Sequence, residues 1–188
     1  SESKTDKTTI VMIGYSSKRE KNYRDIFSAY GSMTSVLDRI VFVWCNADEA
    51  PPAVPKSNVK IIVWQPTVNP KSFVNRFVIS SFARTSSVLT VDDDVLLSEN
   101  LIRAMIRTHV KHPDNLIGLD KRSYNVRGQY VRKTSAKSQI MVLGKSMIFS
   151  THYLDDFLND EKLVDFTQSN CEDIGMNFVV FNEKSKSF

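Results

Sequence analysis

The chain has 188 residues, 41% hydrophobic and 24% charged, with a formal net charge of +4. That length suits one domain with a real core, since about 150 residues already bury about two-thirds of their unfolded surface, and the balance excludes a disordered polymer. The small positive surplus suits a phosphate-bearing or polyanionic partner but is too weak to argue for nucleic acid.

No apolar run reaches membrane-span length, and no signal peptide precedes the first strand. The opening Ser1 to Lys7 reads as a polar leader or as the cut edge of a longer chain. Cys45 and Cys171 allow one bridge or two free thiols, and zinc-ligand spacings are absent.

In chain order, strands and helices alternate. Thr8 to Ile13 is a β-branched, apolar run that predicts a buried parallel strand. Lys18 to Tyr30 reads as a helix, with Tyr23, Ile26, Phe27 and Tyr30 at three- and four-residue spacings. Arg39 to Trp44 is a second strand, and Asn46 to Asn58, with Pro51, Pro52 and Pro55, is a loop. Lys60 to Trp64 is a third strand, Ser72 to Phe82 a helix, and Ser87 to Val91 a fourth strand. Ser98 is placed to cap a helix running to about Lys111.

The second half changes character. Lys121 to Lys137 is basic and poor in apolar residues, so it reads as a long loop or weak hairpin. Ile140 to Leu143 is a strand, and Thr151 to Asn159 and Glu172 to Phe181 are helices. The alternation predicts an α/β fold around a mostly parallel, Rossmann-like sheet flanked by helices. Residues 1–188 read as one domain, with a nucleotide-binding half at 1–100 and an acceptor-side half at 101–188.

The chemistry centres on Val88 to Asp94, where a buried strand runs into Asp92, Asp93 and Asp94. In open α/β sheets ligands sit at the carboxyl ends of strands. Two carboxylates about 4 Å apart repel by about 4 kcal/mol at an intermediate dielectric, and a divalent cation reverses that sign. Hard oxygen ligands suit Mg²⁺ or Mn²⁺, which keep one or two protein carboxylates and fill the rest with phosphate oxygens and water. In an extended chain Asp92 and Asp94 would point one way and Asp93 the other. The plainer reading is an acidic, solvated turn before the helix at Ser98.

Leu89 to Asp94 is similar to the Asp-x-Asp segment of exostosin-like glycosyltransferases. Asn170 to Phe178 resembles that family's Asn-Cys-Asp-Asp-Ile-Ala-Met-Asn-Phe, departing only at Glu172 and Gly175. Met141-Val142-Leu143 with Phe149 and Tyr153-Leu154, Val43 to Asn46, and Asn75-Arg76-Phe77 extend the match in order along nearly the whole chain. The resemblance implies a GT-A fold. It implies transfer of an N-acetylhexosamine or another sugar from a nucleotide diphosphate, UDP before others, to a glycan or glycolipid acceptor, with retention of configuration.

The same resemblance implies Mn²⁺ (or Mg²⁺) as cofactor and a Golgi or endoplasmic reticulum lumen setting, with any anchor outside this sequence. It gives Tyr15, in the Gly14-Tyr15-Ser16 turn, and Asn46, Asn75 and Arg76 to the nucleotide. Asp92 and Asp93 go to ribose or donor sugar, Asp94 to the metal, and Asp173 to catalysis beside the transferring sugar. Ser17 stands where the family has an arginine, with Lys18 and Arg19 following. Family domains also continue past this chain's end with an arginine that contacts the diphosphate and a cysteine that pairs with the one matching Cys171, so the chain reads either as truncated or as a minimal or degenerate relative.

Competing readings stand beside these. Acids at 172 and 173 also suit a helix N-terminus, where Ile174, Phe178 and Phe181 would form the buried stripe. Arg76 also reads as a surface charge and Tyr15 as ordinary packing. His109, His112 and His152 read as surface residues, and Trp44 and Trp64 as core. Lys121, Arg122, Arg127, Arg132, Lys133 and Lys137 read as a solvated loop or as a contact for an acidic acceptor glycan or nucleotide phosphates. The rival classes are a transferase-like module that binds without turnover and a nucleotidyltransferase, whose usual glycine-rich first turn is absent.

Overall fold

β-branched and apolar runs build the centre of the molecule: Thr8–Gly14 (β1), Leu37–Trp44 (β2), Lys60–Trp64 (β3) and Ser87–Val91 (β4). They appear as parallel neighbours in a computed structural model that describes residues 7–124, 130–131 and 139–186. The six-stranded sheet has the order β3-β2-β1-β4-β9-β5. Ser146–Ser150 (β9) runs antiparallel to β4, and Ile117–Gly118 (β5) runs antiparallel to β9. This is the expected mostly parallel α/β architecture. A second sheet orders Tyr130–Val131 (β7), Lys121–Tyr124 (β6) and Gln139–Val142 (β8), all antiparallel.

Side chains alternate across the main sheet as strand geometry demands. Ile10, Met12, Phe42, Trp44, Leu89 and Val91 enter one core with the helices Glu20–Tyr30 (α1) and Glu99–Lys111 (α2). Val11, Ile13, Val41, Val43 and Val88 enter the other, beneath Tyr153–Leu158 (α3) and Glu172–Lys186 (α5). Trp44 is fully buried, as a core reading requires, and its Nε1 donates to the Glu49 carbonyl (2.7 Å). Ser98 caps α2 as expected, its hydroxyl accepting from the Leu101 N–H.

Several local expectations are corrected. The helix expected from Lys18 begins as a 3-10 turn at Ser17–Arg19, with α1 starting at Glu20. The helix expected over 72–82 is a single 3-10 turn, Phe73–Arg76. The buried apolar residues of the segment, Val74, Phe77 and Ile79, step by three and then two, a spacing that no continuous helix keeps on one face. Glu161–Thr167 (α4), β5 and β9 were not anticipated.

On α5 the buried face is Glu172, Gly175, Met176, Val179 and Val180, while Phe178 and Phe181 are 52% and 59% exposed. A buried glutamate begins the inward stripe, so hydrophobicity alone points to the wrong face. His109 is also buried, completing the α2 stripe Ile102, Met105, Ile106. Both cysteines are free thiols. Residues Arg127, Arg132, Lys133 and Lys137 of the basic stretch, and most of the leader, lie outside the described residues.

Candidate active site

Strand order reverses between β1 and β4: the chain builds β1, β2 and β3 outward to one side, then returns to the other side of β1. Open α/β sheets place their ligand crevice at that reversal, beyond the strand carboxyl ends. The segments that emerge there are Tyr15 after β1 and Asp92 to Asp94 after β4.

They line a cleft of about 380 Å³ with Ile13, Arg19, Phe73, Arg76, Gly144, Lys145, Asn170, Glu172 and Asp173. Of the expected residues it gathers Tyr15, Arg76, Asp92, Asp93, Asp94 and Asp173. Asn46 lines an adjoining hollow of about 350 Å³ that shares Ile13, Tyr15 and Phe73 with the cleft. Asn75 reaches neither: it is buried, and its amide donates to the Asn69 carbonyl (2.9 Å).

The acid triplet does not stay extended. The chain turns at Asp93 and Asp94, with the Val95 N–H bonded to the Asp92 carbonyl (3.1 Å), so simple alternation is lost. Each acid has its own setting. Asp92 meets the Arg76 guanidinium (3.3 Å). Asp93 is buried and uses both oxygens, accepting from Arg19 (2.5 Å) and from the Tyr23 hydroxyl (3.2 Å). Burial pushes the Asp93 carboxyl above its ordinary range, with Arg19 and Tyr23 opposing. The Tyr23 phenol, pushed up to about 12 by burial and then by Asp93, stays a donor. Asp94 is exposed, and its carboxylate bonds no other described residue.

Arg76 corrects its surface reading. It is 6% exposed and joins the two motifs, reaching Asp92, the Gly144 carbonyl (3.3 Å) and Glu172 (3.3 Å). Glu172 is itself buried, which raises its carboxyl against the pull of Arg76. Asp173 opens α5 beside it. One oxygen accepts from the Gly144 N–H (3.1 Å) and the other from the Ile174 N–H (2.8 Å). The chain enters α5 through Cys171 in the left-handed region (φ 68°), a position that costs a non-glycine residue about 1–3 kcal/mol and clusters at functional sites.

Asn46 ties two loops together: its amide donates to the Tyr15 carbonyl (3.0 Å) and its oxygen accepts from the Asp48 N–H (2.9 Å). Tyr15 is 45% exposed under the Arg19 guanidinium, 5.4 Å from the ring centre. Cys45, in the same hollow, is pushed up to about 11 by burial and stays an unreactive thiol. A larger hollow of about 780 Å³ lies between α3, α4 and α5. It lies away from the strand carboxyl ends and holds none of the residues expected from the sequence.

The chain matches the model of the glycosyl transferase family 64 domain over residues 8–187. The chain belongs to that family. Among curated relatives, it is 28% identical to mouse Exostosin-like 2 over 99% of this chain and 61% of the relative. It is 24% identical to Glycosyltransferase family protein 64 C3 of Arabidopsis thaliana over 94% of this chain and 59% of the relative. It is 27% identical to Glucosamine inositolphosphorylceramide transferase 1 of the same plant, over 86% of this chain and 22% of the relative. The chain thus spans about three-fifths of the length of the first two relatives or less.

In this family 64 domain the mostly parallel sheet with helices on both faces is of the GT-A type expected from the sequence. Sequence reasoning missed Arg19, Glu172, Gly144 and Lys145 as cleft residues. Arg19 carried a weak signal, two places after the serine that replaces a family arginine. The Gly144-Lys145 turn carried none, because only the β8–β9 connection brings it to the triplet. Among the described residues no helix is long and apolar enough to cross a membrane.

Proposed function

We propose that this domain catalyses transfer of a sugar, an N-acetylhexosamine first among candidates, from UDP to a glycan or glycolipid acceptor with retention of configuration. A Golgi or endoplasmic reticulum lumen setting belongs to the same reading. The observation that carries it is the convergence of Tyr15, the acid triplet and Asp173 on one cleft at the reversal of the sheet.

Five carboxylates (Asp92, Asp93, Asp94, Glu172, Asp173) face three cations (Arg19, Arg76, Lys145) there, a formal excess of two negative charges if all are ionised. Among the described residues no three His, Cys, Asp or Glu side chains form a metal cage. Mn²⁺ or Mg²⁺ held with a donor diphosphate needs only one or two protein carboxylates, and the uncommitted Asp94 would supply one. When bound, the ion neutralises charge on the leaving diphosphate.

The protein's own residues do the rest. Tyr15 offers a face to the base, and Asn46 holds the Tyr15 backbone in place. Arg76 keeps Asp92 and Glu172 at fixed positions. Asp173, immobilised by two backbone N–H groups, presents negative charge to the sugar as it gains oxocarbenium character. The bond from the sugar's anomeric carbon to the diphosphate breaks with its electron pair leaving on phosphate. A new bond forms from the acceptor hydroxyl oxygen to the anomeric carbon, and the hydroxyl proton passes to the departing diphosphate oxygen.

Calorimetry with UDP tests the metal site. Asp94→Ala should abolish Mn²⁺-dependent UDP binding and leave the melting temperature unchanged. Equal UDP affinity in EDTA and in Mn²⁺ would sink the metal reading. A binding-only module is the second reading, favoured by the side chains of Asn46, Arg76 and Asp93 already being spent on protein partners. It predicts UDP binding with neither donor hydrolysis nor transfer.

A further inference from the structure

Lys145 occupies the turn between β8 and β9, beside the acid triplet. Its carbonyl accepts from the Asp92 N–H (3.1 Å), and the preceding Gly144 N–H is held by Asp173 (3.1 Å). The turn is therefore pinned to both functional motifs. A Cβ on Gly144 would lie 2.7 Å from an Arg76 nitrogen, so the turn also sits hard against the guanidinium.

The three cations of the cleft differ in what they already hold. Arg19 is bonded to Asp93, and Arg76 is enclosed by Asp92, Glu172 and the Gly144 carbonyl. The Lys145 side chain is exposed, lines the cleft, and makes no ion pair or hydrogen bond among the described residues. A rigid backbone root with an uncommitted ammonium head suits a mobile phosphate ligand, since lysine binds phosphate as a point charge with rotatable donors.

We propose that Lys145 is the cleft's diphosphate-binding cation, its ammonium donating to a non-bridging phosphate oxygen of the donor. The proposal rests on the nucleotide-diphosphate reading above and adds the residue that takes up the charge from the protein side. The phosphates are favoured over an acidic acceptor because Lys145 is fastened to Asp92, two residues from Asp94, the anchor proposed for the metal that accompanies the diphosphate.

The test is calorimetric titration of UDP with Mn²⁺ into the parent, Lys145→Met and Lys145→Arg. NMR titrations of uridine, which lacks phosphates, and of an acidic oligosaccharide run in parallel, and melting temperature serves as the fold control. Lys145→Met should weaken UDP binding about tenfold or more, the scale of one charge-assisted hydrogen bond. Uridine binding and melting should be unchanged, and Lys145→Arg should stay within a few-fold of the parent.

Parent-like UDP affinity in Lys145→Met overturns the assignment. So does an equal loss for uridine and UDP, which would mean a distorted cleft. So does unchanged UDP binding with a selective loss for an acidic oligosaccharide, which would move Lys145 to the acceptor. A parent that binds no UDP at all removes the nucleotide reading itself, a failure visible before any variant is measured.

Discussion

Asp173 shows how one side chain can carry both a structural and a chemical reading. An acid in the first turn of a helix needs no function, because the helix dipole favours it. Here its oxygens accept from Gly144 and Ile174 while its carboxylate still lines the cleft. If the charge acts in the transition state, Asp173→Asn should leave UDP affinity within a few-fold and lower transfer by roughly 10²-fold or more. Sugar transfer assayed with the protein checks this, and transfer at the parent rate would return Asp173 to its helix-capping role. Arg76 is different in kind. Its guanidinium balances a buried glutamate, and removing one partner of a buried ion pair costs roughly 3–5 kcal/mol. An alanine there would disturb the fold before it reported on any ligand.

At the scale of elements, the question is what fixes the β8–β9 turn against α5. Asn177 does so with its side chain, which behaves like a neighbouring strand. Its oxygen accepts from the Val142 N–H (2.9 Å) and its amide donates to the Val142 carbonyl (2.8 Å). A second amide bond returns to the Asp173 carbonyl (2.7 Å). Asn177→Leu keeps the bulk and strands these groups, each costing about 1–3 kcal/mol where water cannot replace the partner. Thermal melting should fall by several degrees, since about 1 kcal/mol shifts a domain of this size by about 2–4 °C. An unchanged melting temperature would show that water makes good the loss.

Gly175 explains a departure within the same helix. A Cβ there would meet Phe157 at 2.9 Å, Thr167 at 3.1 Å and Leu163 at 3.2 Å. Where the resembling pattern carries alanine, side chains of α3 and α4 approach α5 too closely here for a methyl group to enter unchanged.

For the whole molecule, pH dependence should show at His109. Its Nε2 lies 3.3 Å from the Ser150 hydroxyl, which donates to the Pro113 carbonyl (2.7 Å), and Nδ1 has no partner among the described residues. Burial lowers its proton affinity below the ordinary histidine value, with Asp114 opposing and His152 adding to the effect. The sign follows. The unfolded chain takes up a proton at higher pH than the folded one, so the stability tied to neutral His109 is complete above about pH 6.5. It is lost as pH falls from there through the folded-state value. Melting temperature should therefore drop between pH 7.5 and pH 5, and His109→Leu should lessen that drop. Equal slopes for parent and variant would assign the loss to other groups.

Much was legible from sequence for physical reasons. Parallel strands of the sheet carry dense apolar, β-branched runs, so β1 to β4 announced themselves, and a carboxylate run at a strand end marked the edge where the cleft opens. Ser98 announced the start of α2 because capping is local chemistry. What depended on contacts between distant segments was not legible. The inward face of α5 was set by Glu172 meeting Arg76, 96 residues away in sequence, and the 72–82 segment unwound to place Phe77 and Ile79 in one core. Lys145 became a cleft residue only because β9 inserts beside β4. Local pattern determined the parallel strands, the cap of α2 and where the acids lie; tertiary structure alone decided which charges are paired and which remain free. Pairing is a matter of distance in space, and sequence spacing does not encode it.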